Sequence, residues 1–254
     1  LASLQTRAVE DGDEFVVNGS KIWNNAHSGA DWMFMLARTE QDAPKHRGIS
    51  FLLTEMKSPG ITVEKIPMMW NAHRSLVTFE DLRIPKKNLV GEQNMGWYVG
   101  AALLDFERSG VDRPARAKRL LEDLVSYCQV TKRNGRLLSD DPIIRRKLAE
   151  AAVQIESCRM MCYNVVWMQS KEMIPNREAS ITKAYGSELT HHIYELGMEL
   201  MGMHGQLEPG SKYVPLQGRI ENGFMRSRGG MVAAGTSEIQ RNVIASRGLG
   251  LPRG

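Results

Sequence analysis

The sequence predicts an α+β protein, with an antiparallel β-barrel or sandwich over residues 1–90 and a four-helix bundle over residues 91–254. Two observations lead to this prediction. Short runs of β-branched and aromatic residues, separated by glycine, proline and asparagine, fill the first part and are typical of antiparallel sheets. After Pro85 the hydrophobic residues recur at helical spacing instead, in segments long enough for a bundle.

Six strands are expected in the first part. Asp11-Gly12 and Asn18-Gly19 are dipeptides that favour tight hairpin turns, so a strand is expected after each of them. The predicted strands cover residues 15–17, 21–23, 32–37, 49–53, 61–66 and 76–79.

Three long helices are expected to follow. The first covers residues 95–132 and is expected to kink or divide at Pro114, because proline lacks the amide hydrogen that an interior helical position needs. The second begins at Asp140 or Asp141, with Pro142 in its first turn. The third covers residues 177–201.

The fourth helix is predicted near the end of the chain, after the small-residue loop AAGTS. Thr236 or Ser237 caps it, Gln240 stands where a capping box needs it, and Gly248 with Gly250 ends it. Free backbone amides beside a loop with small side chains suit a phosphate or another anion. The alternative is a capped helix that simply packs into a core.

Composition limits the classes of function. The chain of 254 residues, 42% of them hydrophobic, can bury a sizeable core, and it contains no apolar run of transmembrane length. Its net charge of +4 comes from interspersed charges, which permits anionic small molecules and does not indicate nucleic-acid binding. Three cysteines cannot all pair with one another, so we expect a reducing compartment such as the bacterial cytoplasm. Because the chain begins at Leu1 within a strand-like pattern, we also expect it to be a piece of a longer protein.

Four sequence blocks, in this order, resemble the acyl-CoA dehydrogenase family, and together the resemblance spans nearly the whole chain. The blocks are VVNGSKIWNNAHSGADWMFMLART, HRGISFLLTEMKSPGITV, VTFEDLRIPKKNLVGEQNMGW and GTSEIQRNVIASRGLGLPR. The resemblance implies FAD as cofactor and an acyl-CoA thioester as substrate, which is oxidised to the α,β-unsaturated thioester. It also implies an electron-transfer flavoprotein as acceptor, and a homotetramer or a heteromer of homologous subunits.

The resemblance also suggests where the catalytic base lies. Much of the family carries a glutamate in the loop before the final helix, where this sequence has Ala234. One branch carries the base on the first bundle helix, as a glutamate followed by arginine, which corresponds here to Glu107 and Arg108. Glu107 is therefore the expected base; the alternative is an ion pair between helices. Asp105, Arg108, Ala234 and Gly235 resemble the substrate contacts, the last two through their backbone.

Six residues resemble the family's FAD contacts: Trp23, Asn24, Asn25, Thr236, Ser237 and Glu238. Trp23 corresponds to the tryptophan beside the isoalloxazine ring, although a tryptophan in a strand is more often part of a core. Asn25 replaces a threonine of the family pattern, and Glu238 replaces a glutamine, which adds a charge near the pyrophosphate.

Two alternatives to a dehydrogenase remain open at the level of sequence. A non-catalytic subunit that completes its neighbour's FAD site in a heteromer is consistent with Ala234, whereas Glu107 favours the enzyme. A related flavin oxidase is the other alternative, because one fold serves several functions.

Overall fold

A computed structural model describes residues 2–70, 72–107 and 110–252, without the side chains of residues 105–107. The chain divides into two compact units, Leu1–Leu104 and Asp105–Gly254. Within the described residues, every helix is too short or too polar to cross a lipid bilayer. The predicted α+β class is confirmed, with a β unit followed by a helical one.

The described part of the first unit forms a mixed seven-stranded sheet in the order β5-β6-β2-β1-β3-β4-β7. Among the described strands of this sheet, β1 and β3 are the one parallel pair, and the other neighbours are antiparallel. The strands are β1 (Arg7–Asp11), β2 (Glu14–Asn24), β3 (Trp32–Arg38), β4 (Ile49–Glu55), β5 (Ile61–Pro67), β6 (His73–Pro85) and β7 (Leu89–Val90).

The core of the first unit comes from alternating residues of these strands. Phe15, Val17, Val77, Phe79 and Leu82 are almost fully buried and belong to one cluster. Each such side chain contributes about 1.5–3 kcal/mol relative to an exposed position. The alternation of buried and exposed side chains along the strands, which the sequence predicts, therefore produces this core.

One of the two predicted turns is a turn and the other is not. Asp11-Gly12 joins β1 to β2, with Gly12 at φ 61. Asn18-Gly19 instead lies at an irregularity inside the long strand β2, so the two strands predicted on either side of it are one. A Cβ on Gly19 would stand 2.9 Å from the Cα of Thr6, and this close backbone approach explains the glycine.

The helices are α1 (Gly96–Glu107), α2 (Asp112–Val130), α3 (Pro142–Ser170), α4 (Asn176–Met201), α5 (Arg219–Val232) and α6 (Ser237–Val243). A hairpin of β8 (Lys132–Arg133) and β9 (Arg136–Leu137) follows α2. The prediction that the helix over residues 95–132 divides is confirmed, because α1 and α2 are separate helices, but the division does not lie at Pro114 itself. Pro114 lies in the first turn of α2, where its missing amide hydrogen breaks no bond.

In the second unit α4 is the central helix and packs against α2, α3, α5 and α6. The core of this unit includes Leu124, Ile155, Ile193 and Leu196, which are buried. The fourth member of the bundle is α5, which the sequence analysis did not predict, because three glycines weaken its helical pattern. One of them is Gly223, where a Cβ would stand 2.0 Å from the ring of Tyr194.

Polar contacts fix α5 against its neighbours. The guanidinium of Arg219 donates to the carboxylate of Asp123 on α2 at 2.8 Å. The imidazole Nδ1 of His191 on α4 lies 2.8 Å from the hydroxyl of Ser227 on α5, and both residues are buried. These contacts fix the position of α5, and therefore also the point at which the following loop begins.

Candidate functional site

The loop between α5 and α6 has a left-handed backbone at two consecutive residues. Ala234 has φ 54 and Gly235 has φ 89. Glycine adopts this conformation freely, whereas an L-residue such as alanine loses about 1–2 kcal/mol there. Ala234 is exposed, so burial of its methyl group does not explain the strain.

Two buried donors hold the carbonyl groups of this loop. The ammonium group of Lys183 on α4 donates to the carbonyl of Gly235 at 2.6 Å and to that of Met231 at 3.4 Å. The side-chain amide of Gln240 on α6 donates to the carbonyls of Ala234 and Gly235, at 3.1 and 3.3 Å. Lys183 is 2% exposed and Gln240 is 1% exposed, so these bonds form away from solvent.

Neither donor is predicted to have this role from the sequence. Gln240 was expected in a capping box, but Thr236 caps α6 by accepting from the amide of Ile239, and the Gln240 side chain turns to the loop. Lys183 belongs to a run of buried positions on α4 that includes Ser180, Ala184 and Ser187. The sequence signal for this role is a lysine at a position of the helix where the spacing predicts a buried residue.

The start of α6 offers unused polar atoms. Within the described residues, the hydroxyl of Ser237 and the side-chain oxygen of Gln240 are buried and have no hydrogen-bond partner. Glu238 is exposed, and its pKa is lowered, chiefly by a hydrogen bond from the Thr236 hydroxyl. Glu238 therefore keeps its negative charge here, and the Ser237 hydroxyl is free to donate.

In the first unit, a bulge directs Trp23 outward. The pairing of β2 with β6 shifts register between Ile22 and Asn24, and Trp23 at φ 70 is the extra residue. Trp23 is 60% exposed. A bulge turns a side chain into a direction that regular alternation would not give it. The exposure of the Trp23 indole therefore follows from the backbone geometry of β2.

The two asparagines after Trp23 differ in their surroundings. Asn24 uses its side chain locally, donating to the carbonyl of Lys21 at 3.1 Å and accepting from the amide of Ala26 at 3.1 Å. Asn25 is exposed, and its side-chain amide makes no hydrogen bond within residues 2–70, 72–107 and 110–252. Of the two, Asn25 is the one with donors available for a ligand.

The predicted base stands at a helix end. Glu107 is the last residue of α1, while its side chain and that of Asp105 lie outside the described part, as does all of Arg108. Where the described chain resumes, Gly110 is closely packed: the Cys162 thiol contacts its carbonyl at 3.4 Å, and it has φ 64. A Cβ on Gly110 would stand 2.1 Å from the guanidinium of Arg113, so glycine is required there.

Comparison with protein-family models matches the acyl-CoA dehydrogenase middle domain at residues 1–81 and the acyl-CoA dehydrogenase C-terminal domain at residues 94–249. The chain belongs to the acyl-CoA dehydrogenase family. Acyl-CoA dehydrogenase FadE26 of Mycobacterium tuberculosis is 34% identical over the whole chain. This chain spans 65% of the length of that relative.

Two solved structures are similar to the whole chain. The Tcur3481-Tcur3483 steroid ACAD superposes over 100% of this chain and 65% of its own, with a TM-score of 0.92 and 32% identity. The ChsE4-ChsE5 complex from Mycobacterium tuberculosis superposes over 100% of this chain and 66% of its own, with a TM-score of 0.90 and 32% identity.

The residues present fit FAD, the cofactor that the acyl-CoA dehydrogenase family implies. In the second unit, the Ser237 hydroxyl is a buried donor whose partner is absent from the described residues, which is what a phosphate oxygen would supply. In the first unit, Trp23 presents a flat exposed ring and Asn25 a free amide. Each unit thus carries groups suited to one part of a flavin nucleotide.

Proposed function

We propose that the protein is an FAD-dependent acyl-CoA dehydrogenase that introduces an α,β double bond into an acyl-CoA thioester. Family membership over nearly the whole chain supports this activity. Exposed Trp23 and buried Ser237 support FAD as the cofactor. When bound, FAD would supply the acceptor for the β-hydrogen, which leaves the substrate as a hydride.

We assign the removal of the α-proton to Glu107. The observation that carries this assignment is Ala234: the loop keeps its strained left-handed conformation, yet the residue at the expected position of the base is an alanine. An alanine cannot accept a proton, so the reaction needs a carboxylate from another element. Glu107 matches the alternative position of the family, and it belongs to the same compact unit as Ala234.

The substrate contacts divide between side chains and backbone. The amides of Ala234 and Gly235 donate to the thioester oxygen, which becomes more negative as the α-proton leaves. Asp105 and Arg108 contact the acyl-CoA. Trp23 with Asn24 and Asn25, and Thr236 with Ser237 and Glu238, serve the cofactor.

We propose a bulky acyl group as the substrate, either branched or cyclic. Two considerations support this class: the base on α1 matches the branch that takes such chains, and a similar structure is named a steroid ACAD. An electron-transfer flavoprotein is the proposed acceptor. The proposed assembly is a homotetramer or a heteromer, and a structure named as the ChsE4-ChsE5 complex supports the latter.

Anaerobic mixing of the flavin-loaded full-length protein with a panel of thioesters tests the activity. The panel contains straight-chain, branched and steroid-side-chain acyl-CoAs, and the loss of flavin absorbance is followed. Bleaching by the branched or steroid thioesters is expected, and reoxidation by an electron-transfer flavoprotein should restore the absorbance. No bleaching with any thioester, despite bound FAD, would contradict the proposal.

The second candidate is a non-catalytic subunit that completes the FAD site of a homologous partner. Ala234 favours it, because it removes the carboxylate from the loop. This subunit would bleach with no thioester alone, and it would raise the FAD content and the activity of its partner when the two are mixed. A dehydrogenase bleaches with its own flavin.

A further inference from the structure

Lys183 places a positive charge inside the helical unit. It is 2% exposed on the central helix α4, and its ammonium group donates to the carbonyls of Met231 and Gly235. The first carbonyl lies in the last turn of α5 and the second in the loop before α6. Burying a charged group is costly unless it is hydrogen-bonded, so the position of these carbonyls is tied to that of the ammonium.

Gln240 approaches the same loop from α6. Its side-chain nitrogen is within hydrogen-bond distance of the carbonyls of Ala234 and Gly235. A Cβ on Gly235 would stand 2.5 Å from that nitrogen, so a larger residue would push the amide away. Lys183 and Gln240 together hold two successive peptide groups of the loop.

Holding the carbonyls also sets the direction of the amides. In a trans peptide the N–H points opposite to the C=O, so the amides of Gly235 and Thr236 face away from Lys183 and Gln240. Within the described residues, neither these amides nor that of Ala234 has a hydrogen-bond partner. They are unused donors in an ordered loop.

We infer that Lys183 and Gln240 are positioning residues, which fix the peptide groups between Ala234 and Thr236 and so hold the loop in the conformation in which the amides of Ala234 and Gly235 donate to the thioester oxygen. This inference rests on the proposed function. Donors aimed in advance at developing charge cost no reorganisation during the reaction. The strain at Ala234 is consistent with a loop that its surroundings over-determine.

Substitution of the two donors tests this inference in the flavin-loaded full-length protein. Lys183→Met and Gln240→Met keep the length of the side chain and remove its donor. Ser180→Ala is the matched control, because Ser180 is also buried on α4 and, within the described residues, its hydroxyl bonds to the carbonyl of Asn176 in its own helix and to no other group.

Two readouts separate positioning from a general structural role. The first is the rate of flavin reduction at saturating thioester, with the affinity for the thioester measured separately. The second is the infrared carbonyl stretch of a bound enoyl-CoA that carries ¹³C at C1. We expect each Met variant to lower the rate by about tenfold or more and to return the stretch towards its value in solution. Affinity and FAD content are expected to stay close to wild type in the Met variants, and Ser180→Ala is expected to match wild type in every readout.

The outcomes distinguish this inference from the proposed function. If the wild type is bleached by a thioester, and Lys183→Met and Gln240→Met match its rate and carbonyl stretch, the inference alone is wrong. The same holds if hydrogen exchange of the loop accelerates in the variants while the rate and the stretch do not change. If no thioester bleaches the wild type, the proposed function itself fails.

Discussion

At the scale of single residues, Ala234 is a small side chain in a conformation that suits glycine. Its neighbour Gly235 also has a positive φ, so the left-handed turn continues over two residues. Lys183 and Gln240 donate hydrogen bonds to the carbonyls of these two residues. These bonds keep Ala234 in a backbone conformation that alanine alone does not favour. The left-handed conformation of the loop is therefore present although the side chain of Ala234 cannot accept a proton.

Ala234→Gly is expected to raise the free energy of unfolding by about 1 kcal/mol, because glycine adopts φ 54 without strain. The matched control is Ala233→Gly, at an extended residue with φ −64 and ψ 154, where the added chain entropy should lower stability instead. Denaturant unfolding of the two variants measures both effects. A loss of stability in Ala234→Gly would contradict the strain at this position.

At the scale of elements, α6 depends on its cap. Thr236 accepts from the amide of Ile239 at 3.3 Å, while the neighbouring Ser237 hydroxyl is buried without a partner in the described residues. Two adjacent hydroxyl groups thus have different roles. The first stabilises the helix, and the second remains available for a ligand.

Thr236→Ala is expected to cost about 1 kcal/mol of stability with or without flavin, because the helix loses its cap. Ser237→Ala is expected to change the stability of the flavin-free protein little and to weaken FAD binding by about tenfold or more. Unfolding of the flavin-free protein and flavin titration give the two numbers. Equal destabilisation by both substitutions in the absence of flavin would contradict this division of roles.

A structural feature could be predicted from the sequence when the residues that cause it are close together in the chain. Asp141 caps α3 by accepting from the amide of Ile143, and Pro142 follows it, so a four-residue pattern located this helix start. The dipeptide Asn18-Gly19 predicts a turn, but Gly19 is needed for a close approach to Thr6 instead. The local sequence pattern contains no sign of that contact. Lys183 needs a carbonyl 52 residues away to explain its burial. Such long-range polar contacts were beyond reach of periodicity.

At the scale of the whole molecule, a lysine two residues before Trp23 contributes to the pH dependence of stability. Burial lowers the pKa of Lys21 to about 8 from its ordinary value of 10.5. Below pH 8 both the folded and the unfolded chain carry the charge, so folding includes the full cost of burying it. Between about pH 8 and 10.5 the unfolded chain binds more protons, and this lysine's contribution to stability rises with pH.

Lys21→Met is therefore expected to be more stable than wild type at pH 7, by up to roughly 3 kcal/mol, with the gap narrowing as pH rises from 8 to 10.5. Lys65→Met, at an exposed position of β5, controls for the loss of one positive charge. Thermal unfolding across this pH range gives the difference. A gap that stays constant or widens with pH would show that the charge of Lys21 is not buried at a cost.

The central claim is that Glu107 supplies the proton acceptor that the loop at Ala234 lacks. Anaerobic single-turnover reduction of the flavin by the best thioester of the panel tests it most directly, in Glu107→Gln and in Glu122→Gln, a control at an exposed position of α2. We expect Glu107→Gln to retain FAD and to lose about 10²- to 10⁴-fold in rate, the usual contribution of a general base, while Glu122→Gln keeps the wild-type rate. Flavin reduction by Glu107→Gln at the wild-type rate would contradict the account.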